Sequence, residues 1–153
     1  MDLILWRHAE AAEPREGEDD LARALTSKGE RQAQRIGAWL DQRMSASTRI
    51  LVSPALRCQQ TAKRLGRKFK TAPELAPDGN GESLLKAARW PDAGEPVLIV
   101  GHQPTLGLVA SFLLTGQPQA WAIKKGAVWW IRGRTRDGAL QVLLQAVQSP
   151  DGL

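Results

Sequence analysis

Two histidines occur in 153 residues, and each stands where an apolar run stops. His8 follows Leu3-Ile4-Leu5-Trp6-Arg7, and His102 follows the run Pro96–Val100 after one glycine. Arg7 adjoins the first histidine, and Arg57 comes shortly after the apolar stretch Ile50–Val52. A neutral imidazole can attack phosphorus near pH 7 and carry the phosphoryl group as a covalent phosphohistidine. A second imidazole can donate a hydrogen bond to an equatorial oxygen. Guanidinium groups offer planar forks that match phosphate oxygens. Phosphoryl transfer needs mostly positioning and charge neutralisation, and these four side chains supply both if they meet.

For them to meet, the chain must bring distant strand ends together. Asp2–Arg7 reads as a strand, followed by a Pro/Gly/acid-rich loop to about Ala24. Ser27-Lys28-Gly29-Glu30 has the form of a capping box, and Ala33, Ile36, Leu40 and Met44 repeat behind it at helical spacing. Arg49–Val52 is a second strand. Ser53-Pro54 then predicts a helix N-cap with proline at the first helical position, ahead of Ala55, Cys58, Ala62 and Leu65 on one face. A strand over Lys70–Leu75, a small helix over Ser83–Arg89 and a buried parallel strand over Pro96–Val100 follow. Gly101-His102-Gln103-Pro104 turns into a helix carrying Leu106, Val109, Ala110 and Leu113, and the strands Gly126–Arg132 and Ala139–Val147 close the chain around Asp137-Gly138. Alternating strands and helices predict a three-layer α/β/α sandwich with a mostly parallel central sheet, as one domain over residues 1–153. In such sheets ligands bind beyond the carboxyl ends of the strands. Arg7, His8, Arg57 and His102 all fall on that rim.

Other chemistries fit less well. No P-loop lysine is present, because the Gly79-Asn80-Gly81-Glu82 stretch lacks the Gly-Lys-Ser/Thr ending. His8-Ala9-Glu10 matches half of the zinc deaminase signature, but Cys58 is the single cysteine and cannot supply the other half. Ser53 lacks the G-x-S-x-G elbow of a serine hydrolase. A two-histidine metal site would set both arginines beside a cation. No metal and no cofactor is therefore expected. Net charge is +5, and Lys124–Arg136 holds five cations and no acid, whereas Ala9–Asp20 holds six acids against Arg15. The basic stretch reads as a solvated face or as a meeting place for an acidic partner. With Trp129-Trp130 inside it, a nucleic-acid-binding domain is the distant alternative, although an alternating strand accounts for the tryptophans and nothing in that reading explains the four rim residues. No apolar run approaches the roughly 18 residues of a membrane span. Asp2 directly precedes the first strand without a basic leader, which predicts a soluble cytoplasmic protein.

The stretches LILWRHAEA, LTSKGERQA, ILVSPALRCQQTA and VLIVGHQPTLG resemble the histidine phosphatase superfamily, also called phosphoglycerate mutase-like, over residues 3 to about 115. The short chain leaves almost no room for a cap and is most similar to the small bacterial phosphohistidine phosphatases. The resemblance implies His8 as nucleophile, Arg7, Arg57 and His102 as the phosphate pocket, Ser53 and Thr61 in support, and a metal-free phosphohistidine intermediate hydrolysed by water. Two positions depart from the family pattern. Ala9 replaces the glycine of R-H-G. Pro77 stands where mutases carry a glutamate general acid, so proton donation would fall to Asp78 or to an acid of the preceding loop, Asp19 or Asp20. An alkoxide leaves badly without a proton, whereas imidazole titrates near neutrality. The expected reaction is therefore hydrolysis of phosphohistidine on a partner protein, such as a phosphotransfer domain. The alternative is a small-molecule phosphomonoesterase of the same superfamily.

Overall fold

Strands buried on both faces must be apolar where they are buried, and Leu3–Trp6 of the first strand and Val97–Gly101 of the fourth meet that demand. A computed structural model describes residues 1–153. Strand β1 (Asp2–Arg7) lies parallel to β4 (Val97–Gly101), with Leu3 opposite Val97 and Arg7 opposite Gly101. β2 (Arg49–Val52) runs parallel to β4 on its other side, and β3 (Lys70–Thr71) parallel to β2. β5 (Val128–Arg136) and β6 (Ala139–Gln148) form an antiparallel hairpin, with β5 against β1. The six-stranded sheet has the order β3-β2-β4-β1-β5-β6, parallel through its first four strands and mixed as a whole.

Alternation along the strands divides the core into two layers. Ile4, Trp6, Ile50, Val52, Leu98 and Val100 face helices α1 (Ser27–Arg43) and α2 (Leu56–Lys63) through Ile36, Leu40, Cys58 and Ala62. Leu3, Leu5, Leu51, Val97 and Ile99 face α3 (Gly81–Ala88) and α4 (Thr105–Thr115) through Leu84, Leu106 and Val109. The sandwich is three-layered, as its alternating elements predict. No helix is long and apolar enough to cross a membrane.

Several local expectations are corrected. Thr26, one residue before Ser27, caps α1, and its hydroxyl accepts the Gly29 N–H at 3.0 Å. Glu30 is thereby freed from a capping box and pairs with Arg64 at 2.7 Å. Gly29 has a further reason to be glycine, since a Cβ there would lie 2.0 Å from the Glu10 carbonyl oxygen. The loop after β1 thus packs directly on the first turn of α1. The third strand stops at Thr71 and gives way to a 3₁₀ turn at Pro73–Leu75, because proline has no N–H for a ladder. Ser53-Pro54 does not cap α2, whose N-cap is Ala55 without a side-chain bond. Trp130 is buried, donating to Asp2 Oδ2 at 3.0 Å and meeting Trp39 edge-on. Trp129 packs on the opposite face against Trp121. The tryptophan pair belongs to the core layers rather than to a stacking surface.

Candidate active site

The strand order β2-β4-β1 sets three carboxyl ends side by side. Each ladder runs one step past its strand: His8 N–H donates to Gly101 O at 3.1 Å, and Ser53 N–H to Val100 O at 3.0 Å. His8, Ser53 and His102 therefore emerge from one ledge, and the first turn of α2 lowers Arg57 onto it. The two imidazole centroids are 5.3 Å apart, and Arg57 Nη2 lies 3.5 Å from His102 Nδ1. All three side chains are buried, with 8% exposure for His8, 5% for His102 and 3% for Arg57. Arg7 joins them from the end of β1, its Nη1 donating to Ile123 O at 2.8 Å.

Burial and positive neighbours decide the charge state. His8 is pushed down to about 4, first by loss of water and then by the charges of Arg57, Arg7 and Arg23. His102 is pushed down to about 3 by burial, then by His8, Arg57 and Arg23. Both rings are neutral near pH 7. His8 Nδ1 donates to the Ala9 carbonyl at 2.8 Å, which leaves the lone pair on Nε2. Ser53 Oγ accepts the Ala55 N–H at 3.2 Å and the His102 Nε2–H at 2.7 Å. Arg57 Nη2 can only donate, so its contact makes His102 Nδ1 the acceptor and leaves the ring proton on Nε2, toward Ser53. The serine that reads as a helix cap thus orients a histidine.

Two donors point to what the pocket takes. Arg7 Nε and Arg57 Nε are buried and have no hydrogen-bond partner. An unpaired buried donor costs about 1–3 kcal/mol, more when charged, so a site carrying two of them is built for an absent acceptor. Thr61 keeps the floor in register, its hydroxyl accepting the Ala9 N–H at 3.1 Å and donating to Arg57 O at 2.7 Å. Ala9 takes a negative φ, so the backbone freedom of glycine is not required at that position.

The acids fall in different places. Asp78 is exposed and makes no hydrogen bond or ion pair to the pocket side chains. Asp19 caps the 3₁₀ turn Asp20–Ala22 through the Leu21 N–H. Asp20 does reach the pocket: its Oδ2 accepts from Arg57 Nη2 at 3.0 Å, and its carbonyl accepts from Nη1 at 2.8 Å. Its other oxygen accepts from Arg23 Nε at 2.9 Å. Burial pushes the Asp20 carboxyl up, but the bonds and charges of Arg23 and Arg57 outweigh it and hold it below the usual range. Arg23, in a loop without periodicity and with Arg15 nearby, carries no local sequence signal of this contact. Glu10 accepts from the Thr26 hydroxyl at 2.7 Å and so belongs to the α1 cap. Cys58 lies 3.5 Å from His102 Nε2, but burial pushes its thiol up to about 12 and keeps it protonated.

The basic stretch Lys124–Arg136 is not one surface. Lys124 and Lys125 are exposed beside the rim, where Ile123 O holds Arg7 and Gly126 N–H donates to His8 O at 3.1 Å. Arg132, Arg134 and Arg136 lie toward the other end of β5, a strand of about 27 Å at 3.3–3.4 Å per residue. Arg132 forms a two-pronged pair with Asp2, at 2.7 and 3.0 Å.

Comparison with known proteins agrees with this geometry. The profile of the Histidine phosphatase superfamily (branch 1) matches residues 3–78. The chain is 37% identical over 124 residues to an uncharacterized protein of Picosynechococcus sp., covering 76% of this chain and 75% of that one. It is 33% identical over 128 residues to the phosphohistidine phosphatase SixA homolog of Haemophilus influenzae, covering 74% and 77%. The fold matches that of the protein histidine phosphatase SixA complexed with tungstate, with a TM-score of 0.77, 25% identity and coverage of 99% of each chain. Matching residues, relatives and fold lead to one assignment: this chain belongs to the histidine phosphatase superfamily.

Proposed function

We propose that the protein, as one domain over residues 1–153, hydrolyses phosphohistidine on another protein in two displacements at His8. In the first, the His8 Nε2 lone pair attacks phosphorus and the substrate P–N bond breaks. The substrate imidazole keeps the bonding pair and, with a proton on its other nitrogen, leaves neutral. In the second, a water oxygen attacks phosphorus, the His8 Nε2–P bond breaks, and inorganic phosphate carries the water's oxygen. The water's protons pass to phosphate and solvent. Arg7 and Arg57 hold the phosphoryl oxygens through the donors now unpaired, and His102, beside Arg57, completes the phosphate pocket. Ser53 orients the His102 ring, and Thr61 fixes the backbone of Ala9.

One observation carries the choice of leaving group. Asp20 is the acid in contact with the pocket, and it sits ionised between Arg57 and Arg23. Ionised, it has no proton to donate to an alkoxide at neutral pH. Asp78 and Asp19 are turned to other contacts or to solvent. Imidazole leaves without such help. The SixA relatives are phosphohistidine phosphatases by name, which agrees with this reading. Lys124 and Lys125 beside the rim suit an acidic surface on the protein that presents the phosphohistidine. The test is a comparison of kcat/KM on a phosphohistidine-bearing phosphotransfer domain and on simple phosphomonoesters. A strong preference for the former is expected. Equal or faster turnover of the monoesters would show a small-molecule phosphomonoesterase instead.

A further inference from the structure

The acidic loop touches the pocket with a single carboxylate, that of Asp20. Asp20 lies on the exposed segment after β1, with its side chain 52% exposed, yet its two carboxylate oxygens each engage a different guanidinium. Oδ2 takes Arg57 Nη2 at 3.0 Å, and Oδ1 takes Arg23 Nε at 2.9 Å. Arg23 is otherwise well anchored. Its side chain is 17% exposed, and its Nη1 donates to Ala12 O at 2.7 Å. Arg57 is 4% exposed in its side chain. One half-exposed anion therefore bridges two largely buried cations.

Two oxygens of a phosphoryl group have the same relation to a pair of arginine forks as the two oxygens of a carboxylate. We propose that Arg23 is a third arginine ligand of the phosphoryl group, and that Asp20 is a stand-in anion which the incoming phosphoryl displaces and which returns to expel the product phosphate. The proposal rests on the pocket being the phosphate site described above. A dianion outcompetes a single carboxylate for three guanidiniums, so entry is favoured. Asp20 weakens binding of substrate and product alike, and release of inorganic phosphate is the step that gains. Arg23 also bears on the reacting ring, since its charge is one of those that keep His8 neutral. Without Asp20 the arginines would hold product phosphate longer.

Inorganic phosphate titrated into the whole chain by calorimetry tests this directly. Asp20→Asn is expected to tighten phosphate about fivefold, the size of a half-exposed ion pair, and to strengthen product inhibition in turnover by a similar factor. Arg23→Ala is expected to weaken phosphate about tenfold. Should that variant not fold in thermal melts, Arg23→Lys keeps the charge, loses the fork and is expected to weaken phosphate about threefold. Unchanged or weaker phosphate binding in Asp20→Asn overturns the stand-in role, and unchanged binding in the folded Arg23 variant overturns the third ligand. Arg57→Ala separates the two levels of the argument. If it leaves phosphate affinity intact, the phosphate pocket itself is misassigned. If it abolishes binding while the Asp20 and Arg23 variants change nothing, only the present proposal fails.

Discussion

The rim of strand ends and the β5–β6 hairpin break the ordinary rule of burial in opposite directions. At the rim, polar groups are inside: His8, Ser53, Arg57, Thr61 and His102 are five of the six buried polar or charged residues in the chain. On β6, apolar groups are outside, with Leu140, Leu143, Leu144 and Val147 between 38% and 48% exposed and no ionisable side chain from Ala139 to Gln148. Burying a polar group is costly unless it is paired, and two guanidinium donors at the rim are not. Exposing a leucine costs little and is common. The first departure is informative because folding alone would remove it. The second is an edge strand paired beside Trp129 and Trp130, to which the proposed reaction assigns no part.

This contrast predicts a division of labour between activity and stability. Short of removing His8 itself, the largest effect belongs to Arg57→Ala, which should lower kcat/KM about 10³-fold, as loss of a preorganised donor does. A drop under tenfold in a folded variant would place Arg57 outside the reaction. Ile131→Ala, in the hairpin half of the core, should cost about 3 kcal/mol in chemical denaturation while the folded fraction keeps its kcat. Lost kcat at unchanged stability would break the comparison from the other side. Thr61→Val sits between the two regions. It strands the Ala9 N–H, so about 1–2 kcal/mol of stability should go together with a modest fall in kcat.

The pH profile sharpens the same distinction. A neutral His8 is required and its folded value is about 4, so kcat/KM should hold level from pH 7 to 5 and fall only as pH approaches 4. A midpoint near 6.5 would mean that the ring is solvated in the free protein. Stability should decline over the window from pH 6.5 down to about 4, because the unfolded chain then binds a proton that buried His8 refuses. The smallest effect is expected on the outer edge. Leu143→Lys should change stability by less than about 0.5 kcal/mol and leave turnover untouched, and any loss of kcat would give β6 a role denied to it above.

Much of this was legible in the residues themselves. Continuous apolar runs mark β1 and β4, and a basic or imidazole side chain at the end of such a run is conspicuous, so Arg7, His8 and His102 declare themselves. Arg57 follows because a helix start after β2 faces the same rim. Less legible features depend on contacts far apart in sequence. Ser53-Pro54 has the local form of a helix cap, and only the neighbouring end of β4 reveals that the hydroxyl serves His102. Ser27 and Thr26 are equally good caps by type, and the close approach of Glu10 to Gly29 decides between them. Arg23 lies in a loop without periodicity, where nothing local distinguishes a surface cation from one 2.9 Å from Asp20. The Lys124–Arg136 stretch reads as one patch in one dimension and separates into two because a strand carries its ends apart.

The central claim is that His8 Nε2 carries the phosphoryl group. Rapid quenching of turnover on a phosphohistidine protein, followed by peptide mass analysis under alkaline conditions, tests it most directly. The account predicts an acid-labile phosphoryl group on the peptide containing His8, and its disappearance together with turnover in His8→Ala. Full turnover by a folded His8→Ala variant, or a phosphoryl group trapped on His102 instead, would contradict it.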